Sequence, residues 1–194
     1  MIASTKQATL AAVLWPDRAG NLTRHVLLAL AGSALLWISA KIQVPFWPVP
    51  MTMQSLVVLV IGAAFGWRLG LAAVMLYLIE GAAGLPVFAG TPEKGIGLAY
   101  MAGPTAGYLA GFLLGVAAIG VLAERGWDRT IGSMFVAMSI GHALILLAGW
   151  AWLATLIGPS KAWVAGVEPF YAATLVKTGL AALALPAAWR VMRR

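Results

Sequence analysis

The sequence predicts an all-α, polytopic membrane protein with six transmembrane helices and both termini on the cytoplasmic side. Three observations carry that expectation. Of 194 residues, 62% are apolar and 10% are charged, where a soluble domain carries ~25% charged residues to cover its surface. A bilayer-spanning helix takes ~20 apolar residues, so the apolar content suffices for about six spans and little else. Finally, the cations are unevenly placed. With the amino terminus inside, Lys6, Arg18, Arg24, Arg68, Arg125, Arg129, Arg190, Arg193 and Arg194 fall on inner segments, against Lys41, Lys94 and Lys161 on outer loops and Lys177 within a span. Excess basic charge on short inner loops orients a membrane protein, so the termini share the cytoplasmic face and the number of spans is even. The runs are apolar on all sides rather than alternating at period two, which excludes a transmembrane barrel.

The net charge of +7 is accounted for by insertion and by anionic lipid headgroups, without a nucleic-acid partner. The absence of cysteine excludes a thiolate nucleophile, a disulfide and thiol-ligated metal.

Residues 1–24 read as a cytoplasmic or interfacial segment, because the apolar run from Ala8 to Trp15 is too short to span and ends at Pro16. Residues 25–194 read as one six-helix membrane domain with spans at about 25–43, 51–67, 69–89, 98–122, 130–157 and 169–191. Gly66-Trp67-Arg68 makes a tight inner connection, and residues 124–129 make a charged one. The outer connections differ. Residues 44–50 contain Pro45, Pro48 and Pro50, which fix φ and remove backbone donors, giving a stiff extended segment. Residues 84–97 are broken by glycine and proline yet stay apolar. Irregular backbone near membrane depth is tolerated where protein covers it or a cavity meets it, so both loops point to a binding cavity open to the outside.

Span four carries Gly103, Gly107, Gly111 and Gly115, spaced to stack on one helical face. Such a face serves close helix packing, and near Gly103 and Gly107 it would also let a flat ligand approach the backbone. Tyr100 and Tyr108 flank it. Lys177 lies eight residues beyond Pro169, roughly 12 Å along span six. An intramembrane lysine costs ~2.5–3.5 kcal/mol on insertion scales, so a functional role is its default reading. No acid stands three or four residues away, the neighbours being Ala173, Thr174, Leu180 and Ala181, which leaves a ligand to supply the counter-ion. A structural lysine facing water or headgroups is the alternative. Gln54 can serve neighbouring carbonyls or a ligand equally well. Ser139 and His142 invite thought of an intramembrane hydrolase, but no G-x-S-x-G elbow accompanies them; helix–helix hydrogen bonding is the plainer role for His142. No phosphate-binding loop occurs, so energy from ATP would have to come from a partner.

Four stretches together resemble the BioY family of biotin transporters, the substrate-binding S components of energy-coupling factor (ECF) transporters. They are Val44-Pro45-Phe46-Trp47-Pro48-Val49-Pro50-Met51-Thr52-Met53-Gln54, Gly81-Ala82-Ala83-Gly84-Leu85-Pro86-Val87-Phe88-Ala89, Gly103-Pro104-Thr105-Ala106-Gly107-Tyr108-Leu109-Ala110-Gly111-Phe112, and Pro169-Phe170 followed by Lys177. The resemblance implies biotin as transported substrate rather than cofactor, no catalysis, residence in the bacterial cytoplasmic membrane, and a T component with two ATPase subunits as partners. It implies substrate-binding roles for Gln54, Phe88, Tyr100, Thr105, Tyr108, Thr174 and Lys177, with the aromatic rings around the apolar body, Gln54, Thr174 and Lys177 on polar ends, and loop 44–50 as lid. Small residues of span one, Ala29 and Ser33, would meet the T component, ordinary packing within the bundle being the alternative. The chain departs from the family's pattern at Ala106, at Ala172 where a second proline is usual, and at Thr174 where an aspartate is usual. Without that aspartate, Lys177 holds either the valerate carboxylate or the ureido oxygen. A solitary carrier working without ATPase partners, as a homodimer, is the second reading.

Overall fold

The computed structural model describes residues 8–16, 21–45 and 47–192. The expectations resting on Lys6, Arg18, Phe46, Arg193 and Arg194 lie outside the described residues.

The chain opens with a short helix α1 (Leu10–Leu14), started by the Thr9 hydroxyl, which accepts from the Ala12 amide. Helix α2 (Leu22–Lys41) starts in the same way on Asn21. A two-stranded hairpin follows, β1 (Gln43–Val44) antiparallel to β2 (Met51–Thr52), with Gln43 opposite Thr52 and Val44 opposite Met51. Its loop holds the prolines expected to stiffen it. Helices α3 (Gln54–Phe65) and α4 (Trp67–Ala82) are joined at Gly66 alone, whose φ of +80° a side chain would strain; the tight connection read from Gly66-Trp67-Arg68 is therefore present. Helix α5 (Gly97–Met101) leads into α6 (Ala106–Ala123). Helix α7 (Ile131–Ile157) is capped by Thr130. Then come α8 (Pro159–Gly166), a 3₁₀ turn at Glu168–Phe170 and α9 (Tyr171–Met192).

The all-α membrane class holds. Helices α2, α6 and α7 and the stretch Pro159–Met192 are each long and apolar enough to cross a membrane. The spans expected at 51–67 and 69–89 are shorter than anticipated, 12 residues in α3 and 16 in α4. The hairpin takes residues up to Thr52, and Gly84 (φ +97°) with Pro86 ends the helical path after α4. The span expected from 98 is interrupted before Ala106, where Pro104 cannot donate to a helical ladder.

Helix α6 is the centre of the bundle, packed on α3, α4 and α7, while α2 lies along α4, and α9 along α7. Its glycines permit this. A Cβ on Gly111 would lie 2.8 Å from Ile145 Cα, and one on Gly120 would lie 2.3 Å from the Trp67 amide nitrogen, distances that only bare backbone tolerates. Leu27, Leu30 and Ile38 of α2 and Leu175, Val176 and Leu183 of α9 are exposed, an apolar exterior suited to lipid rather than water.

One end of the bundle is tied by cations. Buried Arg24 donates to the Trp15 and Ala11 carbonyls at 2.7 and 3.0 Å, holding α1 by its C-terminal end. Arg129 donates to the Ala8 carbonyl and stacks its guanidinium 3.3 Å over the Trp189 ring. Asp128 accepts from Trp189 Nε1 and from Arg129. Burial raises the Asp128 carboxyl above the ordinary carboxylate value, lost hydration outweighing those bonds.

Candidate functional site

At the opposite end, a cavity lies between the start of α3, the α5–α6 break, the middle of α7 and the first turns of α9. Its empty space, counted out through the open mouth, is about 590 Å³. Its wall is mostly apolar and aromatic, from Tyr100, Tyr108, Phe112, Ile145 and Phe170, and among the described residues no acidic one lines it.

Lys177 is 6% exposed and reaches this cavity from α9. Its Nζ donates to the Thr52 carbonyl at 2.5 Å and to Ser55 Oγ at 3.1 Å. Both partners are neutral, so the charge is hydrogen-bonded without being cancelled, and one of the three ammonium donors is left over. Among the described residues no carboxylate pairs with it. Gln54, also buried, donates from Nε2 to the Tyr77 hydroxyl at 2.7 Å and to the Leu36 carbonyl at 3.4 Å. The Leu36 carbonyl can only accept, which fixes the amide orientation and leaves Oε1 as the group Gln54 can offer a ligand.

The aromatic residues are held from behind. The Tyr100 hydroxyl donates to the Ala89 carbonyl at 2.9 Å, and the Tyr108 hydroxyl to the Gly166 carbonyl at 2.7 Å. Tyr108 lies against Gly149, where a Cβ would come within 2.2 Å of its ring. Phe170 stacks on Tyr108 with centroids 6.2 Å apart. Both tyrosines are thus fixed before any ligand arrives.

Of the residues expected at the site, Gln54, Tyr100, Thr105, Tyr108, Thr174 and Lys177 share this cavity. Phe88 does not line it. Its ring is 1% exposed, stacks on Tyr100 at 4.8 Å and meets Tyr77 edge-on at 5.4 Å, so it supports the wall from the second layer. The glycine face of α6 also turns elsewhere. A Cβ on Gly107 would lie 2.4 Å from Trp152 Cβ and 2.5 Å from the Ala148 carbonyl, so the stripe packs on α7. The neighbouring face, with Tyr108, Leu109 and Phe112, fronts the cavity instead.

Loop 44–50 contributes Val49 and Pro50, while Val44 and Trp47 are exposed. On α2, Ser33 is buried and donates to the Glu80 carboxylate of α4. It faces the α2–α4 seam rather than an outer surface. Ala29 is half-buried in a groove with Phe65, Arg68 and Ala72. Ser139 donates to its own helix at Phe135 rather than to His142, which removes the hydrolase geometry.

Sequence reasoning missed Thr52, Ser55 and His142 at the site. Ser55 stood beside Gln54, which was a usable signal; His142 was visible as a rare polar residue in an apolar helix but gave no sign of which way it faced.

The sequence model of the BioY family matches residues 5–194. The probable biotin transporter BioY of Pyrococcus horikoshii is 36% identical over 160 residues, covering 82% of this chain and 93% of that protein. The biotin transporter BioY of Rhizobium etli is 38% identical over 174 residues, covering 83% and 90%. Among solved structures, the S-component for biotin from an ECF-type ABC transporter aligns with a TM-score of 0.75 over 92% of this chain and 95% of that one, at 20% identity, a likeness of fold.

Proposed function

The chain belongs to the BioY family, and from that premise we propose that it captures biotin and delivers it across the bacterial cytoplasmic membrane as the S component of an ECF transporter. The observation that carries this reading is Lys177, an ammonium whose partners among the described residues are neutral, in an aromatic cavity that none of their acidic side chains lines. Such a site favours a compact apolar body bearing an acceptor or anionic oxygen. Biotin has a bicyclic body, a ureido carbonyl and one carboxylate. Tyr100, Tyr108 and Phe170 enclose the body, while Lys177, Gln54, Thr105 and Thr174 serve its polar groups, and Phe88 stiffens the wall. The protein is a transporter component and performs no chemistry on its substrate.

Residues 25–194 form one membrane domain of six spans, with α3 and α4 the shortest. Both termini lie in the cytoplasm and the cavity opens outward, an arrangement supported by the distribution of Lys and Arg. Residues 44–50 act as the lid. Titration calorimetry of the detergent-solubilised protein with biotin is expected to give submicromolar affinity; no binding below the micromolar range defeats the reading.

A T component and two ATPase subunits supply the energy, and the groove containing Ala29 is the contact for the T component. Ala29→Trp is expected to leave biotin affinity within about twofold and to abolish co-purification of the T component, together with uptake. Normal assembly of that variant removes the contact. Uptake by the chain alone, in cells lacking the partner subunits, would favour the solitary carrier.

A further inference from the structure

Helix α7 carries a side chain whose hydrogen bonding is incomplete. His142 is 2% exposed, and its Nδ1 lies 3.1 Å from the Met138 carbonyl and 3.1 Å from Thr178 Oγ1. A carbonyl oxygen only accepts, so Nδ1 carries the ring proton. In a neutral imidazole the other nitrogen, Nε2, is then a bare acceptor. Nε2 is buried and has no hydrogen-bond partner among the described residues. Buried acceptors are nearly always paired, and one that is not calls for an explanation.

The surroundings narrow the explanation. His142 lines the cavity beside Thr174 and Lys177, and neither this cavity nor the crevice behind it, between α7 and α9, has an acidic wall residue that would favour a second proton on the ring. No donor among the described residues reaches Nε2. Ser139 donates to Phe135, Lys177 to Thr52 and Ser55, and the Thr178 hydroxyl lies at Nδ1, where it accepts. The adjoining wall from Phe112, Ile145 and Leu146 is apolar. The missing donor therefore comes from outside the described residues, and the cavity that His142 lines is where one can enter.

We propose that His142 Nε2 accepts a hydrogen bond from an N–H of the bound substrate and so helps select substrates that carry one. The inference rests on the biotin reading. Biotin's N–H groups are the two of its ureido ring, so one of them meets His142, and Met138 and Thr178 act as positioning residues that hold the tautomer. An analogue lacking that hydrogen leaves Nε2 buried and unpaired, which is how a hydrogen-bonding site rejects a near-isostere.

The test is calorimetric titration of the wild type, His142→Phe and His142→Gln with biotin and with biotin methylated at either ureido nitrogen. His142→Phe is expected to weaken biotin binding by about tenfold to a hundredfold. His142→Gln, which can present an amide oxygen, should retain affinity to within several-fold and guards against a merely misfolded Phe variant. Methylation at one nitrogen should cost the wild type about tenfold more than it costs His142→Phe, the non-additivity expected of two groups in contact. Equal biotin affinity in the wild type and His142→Phe, or an equal methylation penalty in both, overturns the role of His142. Failure of the wild type to bind biotin overturns the substrate reading itself.

Discussion

Lys177→Ala is expected to lower biotin affinity by about a hundredfold or more while leaving the protein folded. Truncating one member of a buried, hydrogen-bonded charge contact costs ~2–5 kcal/mol, and 1.4 kcal/mol is tenfold in affinity. The two effects separate because the ammonium makes no ion pair with its own chain. Its partners are the Thr52 carbonyl and Ser55 Oγ, so removing it strands two neutral acceptors and no charge. Removing an uncompensated charge from a hydrocarbon setting also eliminates an insertion cost. Lys177→Met, which restores most of the volume, should share the affinity loss and be at least as stable as the wild type. Calorimetry read alongside thermal unfolding in detergent checks both halves. Unchanged affinity in the alanine variant removes Lys177 from the site, and a collapse of stability in the Met variant would mean that the lysine is structural.

Gly107→Leu should have the largest effect on the fold. A Cβ there lies 2.4 Å from Trp152 Cβ, 2.5 Å from the Ala148 carbonyl and 3.1 Å from Gly149 Cα. Two of these three neighbours are backbone atoms of α7, which cannot rotate away. Helices α6 and α7 must therefore part, and overpacking of this kind costs ~1–3 kcal/mol or more even where side chains can adjust. The movement would also draw Tyr108 away from Gly149 and from the Gly166 carbonyl that holds its hydroxyl, so biotin binding should fall with stability. Gly179→Ala is the contrast. Nothing lies within 4 Å of its Cβ position in the middle of α9, so that variant should be neutral or gain up to ~1 kcal/mol from reduced backbone freedom. Comparable thermal midpoints for the Gly107 and Gly179 variants would contradict the packing described for α6.

The helices were legible because each stretch shows its own cost of transfer into hydrocarbon. Spans expected at 25–43 and 130–157 correspond closely to α2 and α7. The turn at Gly66 and the shortness of α1 were likewise local matters of conformation and length. Helix α8 was not anticipated. It is eight residues long and starts on Gly158 and Pro159, and in a search for 20-residue spans those residues read as an interruption.

Six of the seven candidate substrate residues line one cavity, yet the path to them was uneven. Lys177 stood out because a cation in an apolar helix is expensive wherever it faces. Phe88 carried no such mark, since a phenylalanine suits a cavity wall and the layer behind it equally well. Of the expected glycine stripe, Gly107, Gly111 and Gly115 share one face of α6 while Gly103 lies in the turn before it, and whether that face meets α7 or the ligand depends on how α6 is rotated about its axis. Neighbouring ridges and grooves set that rotation.

By itself, then, the sequence determined the class of protein, the helices and the presence of a costly buried cation, because hydropathy and backbone preference act over a few residues at a time. Tertiary structure alone decided which faces meet. It brought Thr52 and Ser55 to Lys177 across more than a hundred residues of chain, turned Ser33 onto Glu80, and set His142 in the cavity wall with one buried ring nitrogen that has no partner among the described residues. Those outcomes depend on the packing of helices far apart in the chain, and no local pattern encodes an angle of rotation.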